Sequence, residues 1–276
     1  MKKILFLLPT LFLTSCANAG SVSFKNNLVV GEKVTDLKDF YEHVNAQFEN
    51  AKTIKMEGKA FSKYGFTKVN TRSSLNCTIY TNGFSSKSEI ISRNRENGIV
   101  QRTIETESQD TFILNINGKT KMHSFVKTGD DEVGKYTSTT VDPNYTAKIS
   151  EQDILNYLEI TKYLDINVYK KGTQFLIVSS NEDMDIEDVQ SGSKVKEHKT
   201  IEKSQLIMTV DSSYHLKSAT YYYINKTNRD PETNEWYNGL KTIAKAQIDL
   251  EVKYGSLSTR TEADLHKKLG NSSWSH

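Results

Sequence analysis

The feature that most restricts the fold is the alternation of apolar and polar residues along most of the chain. Between residues 241 and 254, Ala246, Ile248, Leu250 and Val252 alternate with charged or amide side chains. Successive side chains of a β-strand point to opposite faces, so this pattern predicts a strand with one buried face. Further strand candidates lie at 54–60, 67–80, 87–92, 99–106, 112–116, 121–126, 166–170, 173–179, 203–210 and 216–224.

Three segments instead carry apolar residues at helical spacing. In the first, Phe40, Val44 and Phe48 form one stripe that begins after capping candidates at 35 and 36. The second helix is expected at 150–164, where residues 150–153 fit a capping box. A third, short helix is expected within 261–269.

A sheet in which every strand has one apolar face must cover that face, and a sheet of about ten strands must curl to do so. The sequence therefore predicts an α+β fold that is mainly antiparallel β. We expect a single strongly curved sheet of about ten strands, an unclosed half-barrel, with two or more helices covering its concave face. This domain is expected to span residues 35–255, and residues 256–276 are expected to form a loosely held C-terminal tail.

The N-terminus resembles the export signal of bacterial lipoproteins. Two lysines precede an apolar run at 4–13 that is too short to span a bilayer, and Leu13-Thr14-Ser15-Cys16 resembles a lipobox. The resemblance implies a signal peptide at 1–15, a diacylglycerol on Cys16 and a flexible tether at 16–34. Two acyl chains would hold the protein on the extracytoplasmic face of the cell membrane. The alternative is an ordinary secretory signal with a chance cysteine.

Composition and motifs argue against several classes of function. Lys and Arg together number 36 and Asp and Glu 34, and no basic tail or patch is visible, so we expect no nucleic-acid partner. With Cys16 lipidated, Cys77 has no intrachain partner, and its place between Leu75 and Ile79 predicts a buried strand residue. The sequence has no nucleophile elbow, phosphate-binding glycine loop or His-Glu-x-x-His motif. It therefore predicts neither an enzyme nor a metal or other cofactor.

The order of elements resembles that of the LolA/LolB-type lipoprotein carriers and the related lipid-carrying lipoproteins of mycobacteria. The resemblance is carried by Asp36 to Ala60, where a helix leads straight into a strand, by the helix after Ser150, and by the hairpin at 206–219. It implies an unclosed β-barrel whose mouth is plugged by helices, with an apolar cavity that holds acyl chains. The long segments at 181–199 and 226–240 depart from the compact carriers.

The wall of such a cavity is expected to come from the apolar stripes of the first two helices. The candidate lining residues are Phe40, Val44, Phe48, Ile154, Leu155 and Leu158. The same residues would serve equally well as ordinary core. We therefore expect a membrane lipoprotein that binds or carries a lipid or another apolar ligand. The alternative is a surface lipoprotein that binds an envelope protein or a glycan through its polar loops and through Tyr221 and Tyr223.

Overall fold

The computed structural model describes residues 31–48, 50–129, 131, 133–145, 166–191, 194–230, 232–270 and 274–275. In this part of the chain the helices are α1 (Leu37–Phe48) and α2 (Glu262–Leu269). The strands are β1 (Glu32–Lys33), β2 (Ala51–Tyr64), β3 (Thr67–Tyr80), β4 (Gly83–Glu96), β5 (Ile99–Ile116), β6 (Lys119–Thr128), β7 (Gly134–Thr140), β8 (Ile166–Lys171), β9 (Gln174–Ser191), β10 (Lys194–Asp211), β11 (Leu216–Arg229), β12 (Trp236–Tyr254) and β13 (Trp274–Ser275).

The thirteen described strands form one sheet in the order β1-β8-β9-β10-β11-β12-β2-β3-β4-β5-β6-β7-β13. Neighbouring strands pair antiparallel, except that β13 pairs parallel with β7. The order contains two meanders, β2 to β7 and β8 to β12, which are joined where β12 pairs with β2. The prediction of a mainly antiparallel, unclosed sheet is confirmed.

The strand count differs from the expected number of about ten. β1 and β13 have only two residues each, which is too short for an alternating pattern to be visible. β7 has the sequence GKYTSTT, which lacks the apolar residues on which the prediction depended. The hairpin predicted at Asn117-Gly118 does connect β5 to β6, and both residues have positive φ, 53° and 74°.

One face of the sheet, which we call the core face, carries the main apolar core. Directly paired residues share a face, and Val252, Ile54 and Cys77 form one such row across β12, β2 and β3. The core takes buried residues from nine adjacent strands, β8 to β5 in the sheet order, and from α1. Its buried members are Phe40, Val44, Phe48, Ala51, Ile54, Met56, Leu75, Cys77, Ile79, Phe84, Ile113, Val168, Phe175, Met208, Val210, Leu216, Ala219, Ile248, Leu250 and Val252.

A smaller apolar cluster lies on the opposite face, at β5 to β7. Phe112 comes one position before the core-face residue Ile113 on β5 and therefore points away from the main core. It packs with Phe125 of β6 and with Leu265 of α2. The described part of the chain therefore has α1 on the core face and α2 on the opposite face; the second helix that the sequence predicts over the core face lies outside the described residues.

In the described part of the C-terminal segment, Arg260 and α2 pack against the sheet, whereas the sequence predicted a loosely held tail. The predicted helix is present as α2, with Thr261 as N-cap in a capping box with Asp264. Leu265 is 2% exposed and the side chain of Arg260 is also buried. The second predicted helix, at 150–164, lies outside the described residues. Within the described ranges, neither helix has the length and apolar character needed to cross a membrane.

Candidate functional site

Three of the six predicted lining residues lie together on α1, at its contact with the core face. Phe40, Val44 and Phe48 are 2%, 0% and 1% exposed, and all three belong to the main core. The helix starts where Asp36 Oδ1 accepts a hydrogen bond from the Asp39 backbone N–H at 3.0 Å, which is the arrangement of an N-cap. The spacing of the three apolar residues then aims one face of the helix at the sheet.

The other predicted positions cannot be placed. Ile154, Leu155 and Leu158 lie outside the described residues, and so does Cys16, the expected attachment site for lipid. The described site is therefore the interface between α1 and the core face.

Aromatic rings close the N-terminal half of this interface. The ring of Phe40 lies 5.0 Å from that of Phe175 on β9 and 5.9 Å from that of Tyr214 in the β10–β11 turn, measured between centroids. Phe175 and Tyr214 stack at 5.2 Å, and His43 stacks on Tyr214 at 4.7 Å. Contacts of this kind add to the free energy of burial. They fix one half of α1 to the β8–β11 side of the sheet.

The C-terminal half of α1 is held by a different ring. Phe48 meets Tyr254, near the end of β12, edge to face at 6.5 Å. Tyr254 in turn lies 4.3 Å from His215 at the start of β11. The β10–β11 turn therefore supplies aromatic contacts to α1 directly through Tyr214 and indirectly through His215.

Asp211 fixes the conformation of this turn. Its Oδ1 accepts hydrogen bonds from the backbone N–H groups of Ser213 and His215, and its Oδ2 lies 3.0 Å from Lys217 Nζ. Burial alone would raise the pKa of Asp211, but the hydrogen bonds from Lys217, His215 and Ser213 together lower it below its usual value. The ionised side chain thus holds the turn in the shape that presents Tyr214 and His215 to α1.

Cys77 occupies the buried strand position that the sequence predicted. It is 2% exposed within the main core, and burial raises the pKa of its thiol to about 12. The thiol is therefore protonated at neutral pH and is a poor nucleophile. Across the described ranges, no group of three or more His, Cys, Asp and Glu side chains is placed to hold a metal ion.

A concave region that the sequence did not predict lies on the opposite face beside α2. It is a cleft of about 380 Å³ lined by residues of β3, β4 and β5 together with Phe125, Lys268 and Trp274. Asp110 lies in its wall and forms ion pairs with both Arg260 and Lys268. The lining of the cleft is mixed in polarity.

Arg260 joins the C-terminal segment to the β3–β4 turn and to β5. Its Nη1 donates to the Thr111 carbonyl oxygen at 3.0 Å, and its backbone N–H donates to Asn82 Oδ1 at 2.8 Å. The guanidinium group also lies 4.2 Å from the ring centroid of Tyr80 and 4.1 Å from that of Phe112. No sequence motif marks this arrangement, since Asp110 and Arg260 are far apart in the chain; the sequence predicted only the short helix within 261–269.

The tyrosines proposed for the alternative function are not fully exposed. Tyr221 is partly buried against the main core, and Tyr223 is half-buried on the same face. Tyr222 points the other way and is 7% exposed. These three residues therefore pack within the sheet rather than forming an exposed aromatic surface.

No family model and no curated protein matches the sequence.

Proposed function

We propose that the protein is a lipoprotein tethered to the extracytoplasmic face of the cell membrane through a diacylglycerol on Cys16. We propose further that it binds a lipid or another apolar ligand between α1 and the core face, with the sheet curved into a half-barrel. Phe40, Val44 and Phe48 would line the mouth of this cavity. The signal-like sequence at 1–16 supports the anchor, and the packing of α1 supports the ligand site.

The ligand site depends on one observation, the mismatch in size between the apolar core and α1. The core spans nine adjacent strands, and nine strands about 4.8 Å apart are about 38 Å wide. α1 has 12 residues, and a helix of that length is about 18 Å long. One such helix covers about half of that width. The core residues beyond α1 are nonetheless 8% exposed or less, so we propose a further covering layer beside α1, with acyl chains packed between that layer and the sheet.

One contact supports a second covering element over the same face, formed by the segment that follows β7. Tyr145, the residue just before 146–165, packs against the main core. We therefore propose that the second predicted helix covers the core face beside α1, with Ile154, Leu155 and Leu158 directed at the ligand. The half-barrel would then have the two covering helices that the sequence indicates.

Native mass spectrometry of the full chain, purified from membranes in mild detergent, tests the ligand site. We expect a non-covalently bound lipid that is released as collision energy rises. Val44→Trp should reduce the bound fraction at least tenfold, because the added side chain fills the space under α1. Ala46→Trp is the matched control, since Ala46 is exposed on the same helix. If Val44→Trp does not fold, Val44→Leu should reduce the bound fraction less but in the same direction.

Two results would contradict the ligand site: wild-type protein that carries no lipid, or Val44→Trp protein that retains as much as Ala46→Trp protein. Capture of a protein or glycan by lipid-free protein with a filled core would then favour the alternative function. The anchor is tested separately by peptide mass spectrometry. The N-terminal peptide of the mature protein should carry a diacylglyceryl group on Cys16, and Cys16→Ser protein should not be modified.

A further inference from the structure

The face of the sheet opposite the core carries a cluster of positive charge at the strand ends far from α1. Lys59 follows Gly58, which pairs with the core residue Ile248, so Lys59 points away from the core. Five further exposed cations share its face. We call the following set the basic surface, given in the order in which its members pair across neighbouring strands: Lys59 with Arg72, Lys68 with Arg95, and Arg93 with Arg102.

The basic surface has acidic neighbours but no direct ion pair within the described part of the chain: Glu57 on β2 interacts with Lys59, and the Glu232 carboxylate lies beside Gly65 in the β2–β3 turn. None of its six cations forms an ion pair there, and no Asp or Glu is paired with them across β2 to β5. Like charges directly opposite each other destabilise a sheet. Each of the three pairs therefore costs some stability, and a bound anion would reduce that cost.

Exposed apolar side chains lie at the same end of the sheet. Phe66, in the β2–β3 turn, is 86% exposed. Ile99 and Val100, directly after the β4–β5 turn, are 66% and 61% exposed, and Val100 is paired with Arg95. The two turns belong to adjacent hairpins, so these side chains and the basic surface form one continuous region.

We propose that this end of the sheet docks on an anionic phospholipid bilayer. The basic surface would bind lipid phosphates, while Phe66, Ile99 and Val100 enter the apolar side of the interface. Basic residues near an anionic membrane contribute to binding, and exposed apolar residues add to it when they leave water. A nucleic acid would offset the same charges but would leave the aliphatic side chains of Ile99 and Val100 in water. The docking surface is separate from the ligand site under α1 and does not require acylation of Cys16.

Tryptophan quenching in the full chain tests this proposal. Trp236 and Trp274 are replaced by Phe, and Phe66→Trp provides the reporter at the proposed contact. The protein is reconstituted in vesicles of phosphatidylcholine, or of phosphatidylcholine with three-tenths phosphatidylglycerol, each with brominated acyl chains. We expect quenching of at least twofold in the anionic vesicles, none in the neutral vesicles, and reversal by 0.5 M NaCl. Thr173→Trp, in the exposed β8–β9 turn at the other end of the strands, should not be quenched in either.

Charge reversal gives the matched comparison. Each Lys or Arg contributes about fivefold to binding at an anionic membrane, so Arg93→Glu, Arg95→Glu and Arg102→Glu together should weaken docking at least hundredfold. Lys33→Glu, Lys38→Glu and Lys171→Glu make the same change in net charge at exposed sites near α1 and should leave the quenching intact. If circular dichroism shows that the first triple variant is unfolded, the three Arg→Gln changes replace it, with the same expected direction.

The proposal is overturned by equal quenching in neutral and anionic vesicles, or by quenching that survives the loss of Arg93, Arg95 and Arg102. Binding of a 20-bp DNA duplex at 0.15 M NaCl without vesicle quenching would also overturn it and assign the surface to nucleic acid. Bound lipid detected by native mass spectrometry is a separate readout. Failure of docking would therefore leave the ligand site standing, and failure of the ligand site would leave docking standing.

Discussion

At the scale of single residues, Gly83 is a position that only glycine fits. Its φ is +144°, and a Cβ atom there would lie 1.9 Å from the carbonyl oxygen of Thr111 on β5. Gly118 also has positive φ, +74°, but a Cβ atom there would meet nothing within 4 Å. The two glycines separate the cost of backbone conformation from the cost of a steric clash.

We expect Gly118→Ala to lower the free energy of unfolding by about 1–2 kcal/mol, the cost of the left-handed conformation alone. Gly83→Ala should cost about 2–5 kcal/mol, because the clash with Thr111 adds about 1–3 kcal/mol of overpacking. Urea denaturation followed by circular dichroism measures both. Equal losses for the two variants would show that the β4–β5 pairing relaxes around the added methyl group.

Cys77 predicts a pH dependence at the same scale. Burial raises the pKa of its thiol from 9.0 to about 12, so the folded state holds this proton more tightly than the unfolded state. The stabilisation is fully present below pH 9 and is lost as pH rises from 9 towards 12. We expect Cys77 in folded protein to resist iodoacetamide at pH 9 and to react readily in 8 M urea. Peptide mapping distinguishes it from Cys16, and rapid alkylation of folded protein would contradict the burial.

At the scale of elements, α2 is held by the ion pairs of Arg260 and Lys268 with Asp110 and by the packing of Leu265. Arg260→Ala should lower the free energy of unfolding by about 3 kcal/mol, because it removes a buried partner of Asp110. Lys267→Ala is the control, since Lys267 is exposed on the same helix, and it should change stability by about 0.5 kcal/mol or less. Hydrogen exchange should show faster exchange of the α2 amides in Arg260→Ala. Unchanged α2 protection would mean that Leu265 and the Lys268–Asp110 ion pair hold the helix without Arg260.

The same element shows how far the sequence predicts this fold. The spacing of apolar residues predicted α1 and α2, and alternation predicted the long strands, because both patterns depend on neighbours within a few residues. The face on which α2 packs depends on the ion pair between Arg260 and Asp110, which are 150 residues apart in the chain. The basic surface was missed for a related reason: its six cations are divided among four strands, β2 to β5, and come together only when these strands pair in the sheet.

At the scale of the whole molecule, the β2–β12 pairing joins two meanders that are distant in sequence. Leu250 lies at this seam, 3% exposed, between Met56 of the first meander and Ala219 of the second. The main core takes side chains from both meanders and from α1. Because neither meander covers its apolar face alone, we expect the two to unfold together.

The two tryptophans of the chain can report on the two meanders separately. Trp274 packs against Phe125 of β6 at 5.0 Å, whereas Trp236 lies on β12 with Arg229 of β11 5.5 Å from its ring. In urea, Trp236→Phe protein reports the first meander and Trp274→Phe protein the second. We expect their fluorescence transitions to have the same midpoint after correction for the stability of each variant. Separate midpoints would show that the seam joins two independent folding units.

A change at the seam makes this test sharper. Leu250→Ala should lower the free energy of unfolding by about 2–5 kcal/mol through the cavity it leaves. Both tryptophan reporters should show the same loss, because the lost contacts belong to a shared core. Glu251→Ala, at the exposed neighbouring position, should shift neither midpoint measurably. If Leu250→Ala moved only the Trp236 signal, the first meander would be stable without the second. The core contacts that cross the seam would then contribute little to cooperativity, and the ligand proposed under α1 would have to bind a cavity wall that can open at the β2–β12 boundary.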